Sequence, residues 1–191
     1  MSMSFNKNVK AKIRNKSVGK SILLLTALFL IGSTTQLLAA TAAQCEARLN
    51  LQSNQPDINF GDFMEYGAGT VTVAPGGARS ATGGVVLLGG TVSAARFRIR
   101  VNQDGCFGIN PLCVSVPDTP LTGPGTPMVM TNYMIDIPVL SITASLPTQI
   151  DLPDRTWVDV DLGADLPVSA GQAAGDYSAA YNVTFTYIGC P

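Results

Sequence analysis

No histidine occurs anywhere in the 191 residues. That absence removes the Ser-His-Asp and Cys-His arrangements that activate a nucleophile, and with them imidazole ligation of zinc. Lysine stops at Lys20. Beyond residue 42 the bases are Arg48, Arg79, Arg96, Arg98, Arg100 and Arg155, set against thirteen acidic residues. An acidic, lysine-free surface offers nothing to nucleic acid or to an anionic membrane. Glutamate is confined to Glu46 and Glu65, and neither has surroundings that mark a carboxylate pair for glycoside hydrolysis. No stretch shows sustained helical periodicity. The chain is expected to be no enzyme and to need no cofactor or metal.

What is present begins with a leader. Lys7, Lys10, Lys12, Arg14, Lys16 and Lys20 form a basic run, Ile22–Ile31 is apolar, and Ala40-Thr41-Ala42 offers a small-x-small cleavage site. The apolar run is too short to span a bilayer, so residues 1–42 read as a secretory signal peptide and 43–191 as one domain. An uncleaved anchor is the rival. Cleavage after Ala40 or Ala43 fits nearly as well, and Gln44 is the wrong neighbour for lipidation at Cys45. The expected destination is the periplasm, cell surface or medium.

Four cysteines, Cys45, Cys106, Cys113 and Cys190, all fall after the leader. An even count in an exported chain suggests disulfides. Cys106 and Cys113 flank a short loop with Gly and Pro, so the first expectation is Cys106–Cys113 with Cys45–Cys190. The alternative joins Cys45 to Cys106 or Cys113. No CxxC spacing supports a metal site.

Short extended runs separated by Gly and Pro clusters fill the rest: Ala47–Leu51, Ile58–Phe63, Gly69–Val73, Val85–Leu88, Ala94–Val101, Cys113–Val116, Val139–Leu146, Thr156–Leu162 and, as a short strand with a turn, Leu166–Gln172. Strands at such spacing predict an all-β sandwich. Thr119–Pro127 reads as a loop. The pairs Gly76-Gly77, Gly83-Gly84 and Gly89-Gly90 read as turns or bulges, since no phosphate-loop pattern follows them.

The clearest signal comes last. From Tyr177 to Tyr187, Tyr177, Ala179, Tyr181, Val183, Phe185 and Tyr187 fall on one face, and Ser, Ala, Asn and Thr on the other. This alternation predicts one long half-buried strand, released by a turn at Gly175. Such a strand at a chain end needs a partner on each side, or its edge becomes a template for assembly.

Two segments carry a resemblance: Gly69–Phe97, preceded by Asn59-Phe60-Gly61-Asp62-Phe63, and Val168–Tyr187. Together they resemble a secreted bacterial domain family, domain-of-unknown-function family 4402, across nearly the whole of residues 43–191. The C-terminal pattern Ala174-Gly175-Asp176-Tyr177 plus an alternating strand is also similar to pilin and spore-coat-U-like subunits of chaperone–usher pili. The resemblance implies an immunoglobulin-like (pilin-like) β-sandwich that lacks one strand. A periplasmic chaperone, and then a neighbouring subunit at the usher, would supply it by strand addition. The implied function is a structural subunit of a fimbrium or similar surface appendage, with a self-complete adhesion module for glycan or a surface partner as the alternative. Two departures matter. Cys45 leaves almost no free N-terminal extension, and Ile188-Gly189-Cys190-Pro191 runs past the last strand. Both favour a terminal or self-complete subunit.

Three further features have ordinary readings. Asp151, Asp154, Asp159, Asp161 and Asp165 fit no calcium-loop spacing, and Asp159 and Asp161 alternate as a solvated strand face would. Arg96, Arg98 and Arg100 read as an outward strand face rather than an anionic-glycan site. Trp157 reads as core rather than a sugar platform. The adhesion reading would use loops such as Asp118–Tyr133.

Overall fold

The computed structural model describes residues 2–6, 49–52, 56–102, 111–186 and 190. Its strands in chain order are β1 (Ser2–Asn6), β2 (Leu49–Gln52), β3 (Phe63–Val73), β4 (Arg79–Leu87), β5 (Ala95–Val101), β6 (Leu112–Ser115), β7 (Thr119–Leu121), β8 (Met128–Ile137), β9 (Ile142–Ser145), β10 (Thr148–Ile150), β11 (Val158–Val168) and β12 (Asn182–Thr186). The described residues contain no α-helix, only a 3-10 turn at Pro138–Leu140.

Every strand pairing among them is antiparallel. One sheet has the order β1-β12-β6-β10. The other runs β2-β5-β11-β3-β4, with β8 on the far side of β11 and β7 and β9 attached through β8. The protein is therefore an all-β sandwich, as composition and turn spacing predicted. Phe97 of β5 meets Phe185 of β12 edge to face, ring centroids 5.9 Å apart, at the seam between the sheets. Apolar residues of both sheets, among them Val71, Ile99, Val114, Ile135, Val160 and Val183, fill the interior. Burying these rows supplies most of the stabilisation.

β11 organises the second sheet. Its first half pairs with β5, from Val158 opposite Ile99 to Leu162 opposite Ala95, and its second half with β3, from Ala164 to Val168. Gly163 sits at the change-over, where a Cβ would come 2.2 Å from the Val73 carbonyl oxygen, so only glycine lets β3 approach there. With neighbours on both edges, β11 is buried along most of its length.

Several expectations need correction. Thr119–Pro127 is not all loop, because Thr119–Leu121 pairs with Met128–Met130 as β7 and β8. β8 escapes period-two reading for a local reason. Met128 and Met130 are buried, and then Tyr133, Ile135 and Ile137. The parity changes across Asn132, whose φ of 48° places it in the left-handed region, with a register irregularity opposite, at Gly163 and Asp165 of β11. Ile58–Phe63 makes only the bridge Asn59–Ser93 before β3 begins. Val139–Leu146 divides into the 3-10 turn and β9. The glycine pairs behave as expected: Gly76-Gly77 turns β3 into β4, and Gly83-Gly84 stands beside an irregularity in β3.

The last strand is shorter than expected. Regular pairing covers Asn182–Thr186, while Tyr177–Tyr181 makes a single bridge, Ser178 to Thr122. The alternation of faces still holds through the whole segment: Tyr181, Val183 and Phe185 are buried and Tyr177 and Ala179 half-buried. Tyr187 lies outside the described residues.

The cysteine pairing is also corrected. Cys113 bonds to Cys190, with Cα atoms 5.2 Å apart. The cause is the neighbourhood of β6: Cys113 stands opposite Thr186, so the end of the chain is its nearest partner. Neither the local Cys106–Cys113 staple nor the Cys45–Cys190 tie forms. Cys45 and Cys106 lie outside the described residues.

Candidate functional site

The C-terminal segment is held in place by Tyr177. Its hydroxyl donates to the Ala173 carbonyl at 2.9 Å and accepts from the Gly125 N–H at 3.1 Å and the Gln172 side-chain amide at 2.8 Å. The hydroxyl thereby ties the segment that leads into β12 to backbone upstream of it and to the turn after β7. It gives Ala174-Gly175-Asp176-Tyr177 a structural cause. Gly175, at φ 146°, lies against Pro124, whose Cγ would be 2.4 Å from a Cβ.

On the β6 side, the segment from Ser178 to Thr186 is paired throughout its ends: Thr184–Thr186 with Ser115–Cys113, and Ser178 with Thr122. The other edge differs along its length. At Asn182–Thr186 it pairs with β1, Asn6 opposite Asn182 and Ser2 opposite Thr186. At Tyr177–Tyr181 it faces a cleft of about 740 Å³.

The cleft floor is apolar: Phe60, Leu121, Met128, Met130, Leu166 and Val168. Its rim carries Asp57, Asp62, Glu65 and Asp176, and among the described residues no basic one lines it. Arg79 fixes one wall. Its guanidinium donates from Nη1 to the carbonyls of Phe60 at 2.8 Å and Asp62 at 3.1 Å, and from Nη2 to that of Leu88 at 2.5 Å. Asp62 and residues 88–89 also exchange backbone hydrogen bonds, Leu88 N–H to the Asp62 carbonyl and Asp62 N–H to the Gly89 carbonyl, and the planar cation adds donors to the carbonyls of Phe60 and Leu88 beside them. Tyr181 closes the inner end. Burial pushes its hydroxyl well above the usual tyrosine range, and the nearby Asp57 charge adds to this. The hydroxyl lies near the Ile58 backbone without reaching hydrogen-bond geometry. Tyr133 packs against Tyr181 at 6.4 Å, and burial raises its hydroxyl likewise.

The described residues of the alternating row thus come together in one place. Val183 and Phe185 lie under the β1-paired edge, and Tyr177, Ala179 and Tyr181 line the cleft beside it. The cleft floor was not foreseen from sequence. The alternating Met128 and Met130 carried the signal, hidden in a stretch read as a loop.

The other candidate residues disperse. Asp161 is buried, not solvated, and accepts from Arg96 at 2.5 and 2.8 Å, an arrangement that raises the Arg96 pKa. Asp159 pairs with Arg98 at 2.7 Å at the surface. Asp165 accepts from Thr72 and Asn132. Trp157 is half-buried rather than core, lying under Arg100 at 5.0 Å and Arg98 at 6.0 Å as a cation–π stack. Among the described residues no cluster of acidic or thiol side chains could hold a metal ion, and no helix is long and apolar enough to cross a membrane.

No curated protein and no solved structure matches the chain. A family model does, over residues 49–187, a span that covers β2 through β12 with Tyr177 and the cleft: the chain belongs to the family described as Domain of unknown function (DUF4402).

Proposed function

We propose that this protein is an exported structural subunit of a cell-surface appendage that assembles by β-strand complementation along the edge of β12. One observation carries the reading. The outer edge of β12 is paired by Ser2–Asn6, a segment inside the stretch read as a signal peptide. Removal of the leader takes that strand away. A five-residue edge would then be left open over Val183 and Phe185, each about 1% exposed. An open edge above buried apolar residues invites another strand. The Cys113–Cys190 disulfide suits an oxidising compartment. A chaperone, and then a neighbouring subunit, are the partners this reading calls for.

The test uses the processed protein from the periplasm. Its oligomeric state and urea unfolding are followed with and without a peptide of alternating apolar residues. Aggregation or non-cooperative unfolding that the peptide converts to a cooperative monomer supports strand complementation. A cooperative monomer without any peptide sinks it. That result would favour a self-complete adhesion module instead, with the cleft as its binding site. Within Asp118–Tyr133, residues 122–127 between β7 and β8 are the part such a module could use as a recognition loop.

A further inference from the structure

We infer that the cleft is the second half of the same acceptor groove, and that it selects an extended segment with cationic side chains, supplied by a chain other than a second copy of this one. The inference rests on the reading of the β12 edge as the assembly edge.

The direction of β1 connects the two halves. β1 runs from Ser2, opposite Thr186, to Asn6, opposite Asn182. A strand continuing that way passes Tyr181, Ala179 and Tyr177 in turn, and all three line the cleft. Their segment is bridged on its far side by Thr122, and among the described residues no strand pairs with it on the cleft side. The groove therefore runs along both Asn182–Thr186 and Tyr177–Tyr181, enough for an incoming strand of about ten residues.

The two halves differ in charge. Phe60, Met128, Met130, Leu166 and Val168 give the cleft an apolar floor for inward side chains. Outward side chains meet Asp62, Glu65 and Asp176, with no basic residue in the lining among the described residues. The nearby Arg79 guanidinium is engaged by the carbonyls of Phe60, Asp62 and Leu88. An incoming strand with Lys or Arg at its outward positions completes this rim, and one with Glu or Asp is repelled. The N-terminal residues that processing would leave on a second copy, 43–51, carry one arginine, Arg48, and one glutamate, Glu46. They lack the complementary charge.

Fluorescent peptides of about ten residues, with one alternating apolar pattern and Lys, Ser or Glu at the outward positions, are titrated onto the processed protein. A fourth peptide copies residues 43–52. Hydrogen exchange maps the footprint. The Lys peptide is expected to bind about tenfold tighter than the Glu peptide at low salt, from two or three rim pairs. The difference should shrink in about 0.5 M salt, and protection should extend over Tyr177–Tyr181. The substitutions Glu65→Gln and Asp176→Asn together should cut the Lys-to-Glu ratio severalfold, leaving the part that Asp62 supplies. Equal affinities, or protection confined to Asn182–Thr186, overturn this inference and leave the assembly edge intact. If the 43–52 peptide matches the Lys peptide, the partner is a second copy and the inference fails on that point. If no peptide binds, the assembly-edge reading falls with it.

Discussion

Cys113 stands opposite Thr186 in the β6–β12 pairing and is disulfide-bonded to Cys190, across a sequence separation of 77. The bond anchors the chain end beside the strand whose other edge is the candidate assembly site. A loop of that length confines the unfolded chain enough to contribute about 4–5 kcal/mol in the chain-entropy model. Replacing both residues, Cys113→Ala with Cys190→Ala, should lower the urea midpoint accordingly. Non-reducing peptide mapping should recover a Cys113–Cys190 cross-linked pair. A Cys106–Cys113 peptide instead would contradict the pairing.

Tyr177→Phe removes one hydroxyl that serves three partners, the Ala173 carbonyl, the Gly125 N–H and the Gln172 amide. The part-buried Gly125 N–H loses its mate, while the Gln172 amide keeps the Thr126 carbonyl and the Ala173 carbonyl is exposed, so a loss of about 1–2 kcal/mol is expected. Chemical denaturation measures it. A change below about 0.5 kcal/mol, the size of an ordinary surface substitution, would show that the Tyr177 anchor is dispensable.

Arg79→Lys keeps the charge but not the planar fork, and a single ammonium cannot reach the carbonyls of Phe60, Asp62 and Leu88 in the same geometry. The expected outcome is faster amide exchange at residues 60–62 and 88–90, with the core strands unaffected. Unchanged exchange there would remove Arg79 from the wall of the cleft.

Alkali provides a fourth check. Burial raises the Tyr181 and Tyr133 hydroxyls above the ordinary value of 10.0. Above that pH the unfolded chain releases these protons while the folded chain retains them. The unfolded state then binds fewer protons, so stability falls as pH rises past about 10. Below that pH the contribution is fully present. Tyr181→Phe should flatten the alkaline limb of the stability curve. At neutral pH it should change stability by less than about 1 kcal/mol, because the hydroxyl reaches no hydrogen-bond partner. An alkaline limb identical in the variant would rule Tyr181 out as its source.

Faces were legible in the sequence because a strand's side-chain period is fixed at two. The alternation at Ala95–Val101 became β5 with Phe97, Ile99 and Val101 buried. The alternation from Tyr177 onward put Tyr181, Val183 and Phe185 inside even where regular pairing stops at Asn182. Where a bulge shifts the phase, as at Asn132 in β8, the pattern disappears although the strand persists. Asp161 shows another limit. Its alternation with Val160 and Leu162 predicted solvent, yet β8 and β5 flank it and Arg96 meets it.

Composition and period-two patterning by themselves determined the all-β class, the turn at Gly76-Gly77 and the inward row of the last strand, since each depends on residues close together in the chain. Only the tertiary structure decided that Cys113 reaches Cys190, that β11 changes partners at Gly163, and that Met128, Met130, Leu166 and Val168 gather beneath an acidic rim. Those outcomes depend on which strands lie side by side. Long-range backbone pairing fixes that, and alternation along one strand carries no information about its neighbour.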